Sequence, residues 1–150
     1  MHKTNINFES PRWKRSDPKL EQKIKKILKK SISMEKKLHL KSTEISVLLT
    51  DTKLMKKLNL KFRKKNKDTD ILSFPSEKPN FFKKKIIDEK VYLGDLALSY
   101  SYIKNQNVEF KNYFSKILVH GFLHLIGHDH DRDKSFVKME RSQNKILNLL

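Results

Sequence analysis

The stretch from Phe110 to Ile126 is the strongest helix signal in the chain, and the way it ends restricts what the chain can fold into. Phe114, Ile117, Leu118 and Leu125 supply its apolar faces at helical spacing. The same stretch carries His120 and His124, four positions apart, which puts them on one face with Cβ atoms about 5–6 Å from each other. Four of the six histidines fall within HGFLHLIGHDH, residues 120–130. On an uninterrupted helix, turning about 100° per residue, His130 would point well away from His124. Gly127 provides an exit, because glycine takes the left-handed conformation that ends a helix and lets the chain fold back. Three imidazoles, from His120, His124 and His130, can then converge on one ion at about 2.0–2.1 Å and leave a tetrahedral site one open position, as catalytic zinc requires. Two other arrangements stay open from the residues alone. The histidines can be ordinary hydrogen-bonded side chains, or His128 can replace His130 if the helix runs straight through Gly127.

Composition limits the rest. With 150 residues, 37% of them hydrophobic and clustered periodically, the chain is expected to form one domain over residues 1–150 despite 34% charged residues. There is no cysteine, so a tightly held metal must use histidine and carboxylate ligands. The N-terminal MHKTNINFESPRWK lacks the apolar core of a secretory signal, and no run of about 18 apolar residues suits a bilayer. The cytoplasm is the expected location, with no membrane partner. Lys and Arg number 34 against 17 acidic residues, a formal charge of +17. Such a field concentrates polyanions, which makes nucleic acid or a ribonucleoprotein surface the natural partner. Only five of the basic residues are Arg (12, 15, 63, 132 and 141). With abundant Asn and Ile, that lysine excess is also what an A/T-rich coding bias produces.

The spacing predicts a short edge strand over 3–8 and a helix from Pro18 to Ile32 carrying Leu20, Ile24, Ile27 and Leu28, capped by Ser16 or Asp17. Glu44 to Leu49 reads as a core strand. Thr50 or Asp51 then caps a second helix bearing Leu54, Leu58, Leu60 and Phe62. Lys64 to Asp70 reads as a polar loop, and Ile71 to Phe74 as a strand halted by Pro75. Ser76 to Lys85 is expected to be a lysine-rich loop around Pro79. Ile86 to Leu98 predicts a strand pair or one strand bent at Gly94, followed by a short helix near Leu98 to Ile103. A last helix is expected over Asp133 to Leu149, through Phe136, Met139, Ile146 and Leu147. Mixed strands and helices imply an α+β or α/β layered domain.

The histidine spacing also matches the extended zincin pattern H-x-x-x-H-x-x-G-x-x-H, with Gly121 where a zinc peptidase carries its general-base Glu. That absence counts against proteolysis. HGFLHLIGHDH closely resembles the H-G-x-L-H-L-x-G-Y-D-H signature of the YbeY family of metal-dependent endoribonucleases. RKKNKDTDILSFP, residues 63–75, is similar to its R-x-x-x-x-x-T-[ND]-V-L-S-F-P stretch. YLGDLALS, residues 92–99, is similar to its L-G-D-[IL]-x-[IL]-S segment. The likeness spans about residues 44 to 140; His128 stands where the family usually has Tyr, and residues 1–40 carry no matching motif.

The resemblance implies an α+β fold, a small mixed sheet layered with helices, zincin-like, with the metal-binding helix in the core. It maps one zinc ion onto His120, His124 and His130, and an activity-linked arginine onto Arg63. It further implies cutting of single-stranded RNA, 16S ribosomal RNA 3′-end maturation and ribosome quality control, with ribosomal RNA and the ribosome or its proteins as partners. A non-catalytic ribosome-assembly factor with a structural zinc is the competing expectation, and a zinc peptidase the third.

From sequence alone Arg63 is either a phosphate-binding guanidinium or a solvated residue at a helix end; Lys65 is a second candidate phosphate contact. Asp129 can orient an imidazole or serve as a cap or turn residue. Asp95, after Gly94, reads as a polar site residue or a turn former, the turn being favoured, Ser73 and Phe74 as strand packing, and Met139 as core.

Overall fold

Alternation of apolar side chains along the central strands decides the layering. The computed structural model describes residues 1–38, 41–76, 90–130 and 132–150. Its sheet contains β1 (His2–Phe8), β2 (Ser42–Thr50), β3 (Ile71–Pro75) and β4 (Lys90–Ser99) in the order β1-β2-β4-β3. The first three neighbours run parallel and β3 runs antiparallel to β4 at the other edge. β2 turns Ile45, Val47 and Leu49 into the larger core. Its Leu48 joins Met55, Leu72 and Ala97 in a smaller cluster on the opposite face.

One irregularity keeps β4 in register with both cores. Between Glu44 and Ile45 the partner on β4 jumps from Tyr92 to Gly94, leaving Leu93 as the extra residue of a β-bulge. The bulge switches side-chain parity, so that Val91 and Leu93 before it and Leu96 and Leu98 after it all enter the larger core. Gly94 has φ +135°, and a Cβ there would run into the Phe74 carbonyl. This is one strand with a bulge, and Asp95 sits within it opposite Ser46 and Phe74 rather than in a turn. Asp95 is exposed and accepts a hydrogen bond from the Tyr92 hydroxyl at 2.7 Å.

The helices are α1 (Arg12–Ser16), α2 (Leu20–Ser33), α3 (Thr52–Arg63), α4 (Tyr100–Lys104), α5 (Phe110–Leu125) and α6 (Asp133–Leu147). Helix α5 packs on β3 and β4, with α2 and α6 against its other sides. Leu118, Val119, Phe122, Leu123 and Leu125 are all buried, so the histidine helix lies inside the fold. At about 1.5–3 kcal/mol per buried large side chain, this helix anchors the domain face it supports. Helix α3 covers the opposite face through Met55.

Several boundaries differ from expectation. Helix α1 was not anticipated; it delivers Trp13 into the core, where the indole N–H donates to the Thr50 carbonyl at 2.8 Å. Trp13 meets Tyr100 edge to face at 5.2 Å between centroids. Asp17 accepts from the Lys19 amide at 2.9 Å, so α2 begins at Leu20 rather than Pro18. Asp51, not Thr50, caps α3 through the Thr52 amide. Leu60 and Phe62 face outward, because the buried side of α3 runs through Met55 and Asn59. Phe136 is likewise exposed on α6. The expected loop beyond Ser76 and the start of the strand at Ile86 lie outside the described residues.

Candidate metal centre and its cleft

Helix α5 ends as a Schellman motif. The Gly127 amide donates to the His124 carbonyl at 3.1 Å and the His128 amide to the Leu123 carbonyl at 3.0 Å. Gly127 holds φ +100°, which a residue with a side chain rarely adopts. The reversal brings the loop of His128 to His130 back over the last turns of the helix. His120, His124 and His130 come together, with ligand nitrogens all within 4.8 Å of one another. Ring centroids lie 4.7, 5.4 and 5.0 Å apart for the pairs 120–124, 120–130 and 124–130. His128 lines both the cleft beside these histidines and a small cavity shared with Lys37 and Lys138, but it is not part of the three-histidine group.

Hydrogen bonding sets which nitrogens are free. His120 Nδ1 lies 3.0 Å from the Gln143 side-chain oxygen, and His124 Nδ1 lies 2.9 Å from the His128 carbonyl. Both partners are acceptors, so each Nδ1 carries the proton and each Nε2 keeps its lone pair. Those two Nε2 atoms face each other at 3.1 Å. Two lone pairs at that range repel unless a cation lies between them. A proton is a poor one here. Burial, then the neighbouring His120 ring, pushes His124 down to about 4, and burial also lowers His120. Two nitrogens bound tetrahedrally at about 2.0–2.1 Å would stand roughly 3.3 Å apart, close to the spacing found. The donor set therefore fits a metal ion.

The three histidines open on a cleft of about 850 Å³, whose other wall comes from the end of α3 and from β3. Arg63, the last residue of α3, lines this cleft, and its charge helps to depress His124. Lys64 follows in a left-handed turn at φ 58°, and buried Asn59 ties down the loop by donating to the Lys67 carbonyl at 2.9 Å. Asp68 accepts from Thr52 at 2.8 Å and from Ser99 at 3.1 Å, fixing the loop to the sheet. Asp70 accepts from the Tyr113 hydroxyl at 2.7 Å, joining β3 to α5; burial, then Asp70, pushes the Tyr113 phenol up. Lys65 is exposed on this loop and is absent from the cleft lining. Asp129 lines the cleft, but α6 begins at Asp133 with Arg132 at its cap position, so Asp129 caps no helix.

The position of the missing glutamate has a steric explanation. A Cβ on Gly121 would lie 2.5 Å from Ile71 Cδ1, 3.1 Å from Leu96 Cδ2 and 3.2 Å from Ser73 Oγ. Side chains of β3 and β4 therefore pack directly against this position and leave little room for a side chain there. Ser73 also donates to the Gly121 carbonyl at 3.1 Å, so it clamps strand to helix. Gln143 was missed by sequence reasoning. Its signal was available: it interrupts the apolar stripe of α6, buried between Met139 and Ile146.

Fold and site together define an α+β protein with a three-histidine centre able to hold one metal ion beside an arginine-lined cleft. A family model described as Endoribonuclease YbeY matches residues 5–150. The Endoribonuclease YbeY of Pelagibacter ubique is 46% identical over 114 residues, 73% of this chain and 71% of that protein. The one from Buchnera aphidicola subsp. Acyrthosiphon pisum is 38% identical over 128 residues, 83% of this chain and 76% of its own. The solution structure of a Thermotoga maritima protein shares the fold, with a TM-score of 0.56 at 22% identity over 99% of this chain and 90% of that one. The chain belongs to the YbeY family.

Proposed function

We propose that residues 1–150 act as one zinc-dependent endoribonuclease domain that cuts single-stranded RNA, matures the 3′ end of 16S ribosomal RNA and serves ribosome quality control. The observation that carries this reading is the facing pair of Nε2 lone pairs, 3.1 Å apart, with the third imidazole in reach and an open cleft of about 850 Å³ beside them. Family membership, the relatives' names and the +17 formal charge support RNA as the substrate. Ribosomal RNA within the ribosome, in the cytoplasm, is the proposed setting; no helix among the described residues is long and apolar enough to cross a membrane.

In this reading His120, His124 and His130 hold the zinc through neutral imidazoles. A bound zinc ion supplies Lewis acidity at the scissile phosphate. Gln143 and the His128 carbonyl keep the two helical rings in the tautomer that presents Nε2. Arg63 is the catalytic cation. Its guanidinium grips the phosphate bidentately and offsets negative charge as it grows. Surface lysines draw the flexible strand into the cleft.

The test combines metal analysis with cleavage of a ribosomal RNA precursor spanning the 16S 3′ end. One zinc per chain and discrete cuts are expected, abolished by chelator and by His124→Ala, and unaffected by Lys30→Ala on the exposed face of α2. Casein stays intact. RNA bound but uncut at full metal loading would overturn the enzymatic reading and leave an assembly factor.

A further inference from the structure

We propose that Phe62 and Phe136 are base-stacking positions on either side of the metal centre, holding a single-stranded RNA by one base before and one base after the phosphate that reaches the histidines. The inference rests on the endoribonuclease reading and assigns where its substrate lies.

Among the described residues, Phe62 and Phe136 are the phenylalanines left exposed, at 56% and 50%. Single exposed apolar side chains are common and need no explanation. Their placement is what sets these two apart. Phe62 lines the large cleft together with His120, His124 and His130. Phe136 lines a second pocket of about 220 Å³, whose wall also includes His120 and His130. The two pockets meet at those shared histidines, so a strand passing over the metal position has one ring on each side.

The surroundings suit a nucleotide on both sides. Phe74 props Phe62 edge to face, at 4.9 Å between centroids and 64° between planes. That contact holds the ring's orientation while leaving Phe62 56% exposed. Lys61 sits over the Phe62 ring at 5.3 Å, and Arg63 follows directly, so cations for the backbone phosphate lie next to the platform. In the second pocket Lys116 supplies the cation, and Glu140 and Asn144 offer an acceptor and an amide to a base edge. Every base has a π-face, so such a pair of rings binds without regard to sequence. It also selects against duplex RNA, whose bases are already stacked on each other. The preference for single strands then comes from these rings rather than from the metal.

The experiment uses the zinc-loaded full chain and a single-stranded 2′-O-methyl oligoribonucleotide with one 2-aminopurine, moved along the strand in a series. Two positions, separated across the centre, should show quenched fluorescence on binding. Phe62→Ala should abolish quenching at one and Phe136→Ala at the other, each weakening binding about tenfold, the scale of losing one stacking partner. Phe62→Tyr and Phe136→Tyr should retain both effects, and zinc content and melting temperature should stay at the parent values in all four. Alanine variants that bind and quench within twofold of the parent would overturn the proposal. Cleavage of unmodified RNA, run alongside, separates the two claims. A parent that stacks the bases but never cuts RNA supports the subsites while sinking the nuclease reading; a parent that cuts while both alanine variants bind normally does the reverse. A parent that binds no RNA sinks both.

Discussion

Replacing Gln143 by leucine isolates the residue that orients His120, the first histidine of the candidate metal centre. Gln143 is 6% exposed, on the buried stripe of α6, and its side-chain oxygen accepts from His120 Nδ1 at 3.0 Å. Leucine fills nearly the same volume, so no cavity forms and the packing around Met139 and Ile146 survives. What disappears is the acceptor. His120 loses the partner that keeps its proton on Nδ1, and nothing then obliges Nε2 to present a lone pair. Outer partners of metal-bound histidines are typically worth about 10–100-fold in affinity, or roughly 1.4–2.8 kcal/mol. The Gln143→Leu protein should therefore bind zinc about 10–100-fold more weakly, measured by competition with a chromogenic chelator at neutral pH, with an unchanged circular dichroism spectrum. Gln143→Glu keeps an acceptor and adds a charge, so it should bind at least as tightly as the parent. If Gln143→Leu matches the parent's zinc affinity, the tautomer argument for the centre is wrong.

Other perturbations follow from the same geometry. Gly127→Ala forces a side chain into φ +100°, a strain of about 1–3 kcal/mol, and should lower the melting temperature by roughly 3–10 °C while weakening zinc binding, because the same turn carries the His128 carbonyl and His130. An unchanged melting curve would contradict it. The metal-free protein should be pH-sensitive. His2, His120, His124 and His128 all titrate below 6.5 when folded, chiefly through burial, so the unfolded chain binds more protons as the pH falls. Their contribution is intact above pH 6.5 and is lost towards about 4, the value reached by His124. Melting temperatures in chelator should fall across that window; a flat or rising profile would refute the burial argument. Arg63→Ala should cut RNA cleavage about 100-fold or more with zinc content unchanged. Arg63→Lys should recover little of it, because a point charge cannot form the bidentate contact.

The centre was largely legible in the sequence because its geometry is local. Spacing puts His120 and His124 on one face, and Gly127 alone explains how His130 returns. Arg63 was legible only through resemblance, since its approach to the histidines depends on the loop that Asn59 and Asp68 tie down over the sheet. A bend at Gly94 could be read, but not the bulge that makes it, because the extra residue, Leu93, is defined by pairing with β2 rather than by its own pattern. Trp13 was missed for a related reason: its burial comes from distant Thr50, Tyr100 and Phe114, and its own short helix has no repeating apolar stripe. Leu60 and Phe62 fit a helical pattern but lie off the face that Met55 marks. The second anchor of the candidate centre, on His124, is a backbone carbonyl, that of His128, and no residue type announces a carbonyl.

The central claim is that the imidazoles of His120, His124 and His130 close on a single ion. X-ray absorption at the zinc edge of the loaded protein tests it directly. Three imidazole nitrogens at about 2.0–2.1 Å are predicted, with one imidazole fewer in His130→Ala. A spectrum with two or fewer imidazoles in the parent, or one that His130→Ala leaves unchanged, would contradict the account.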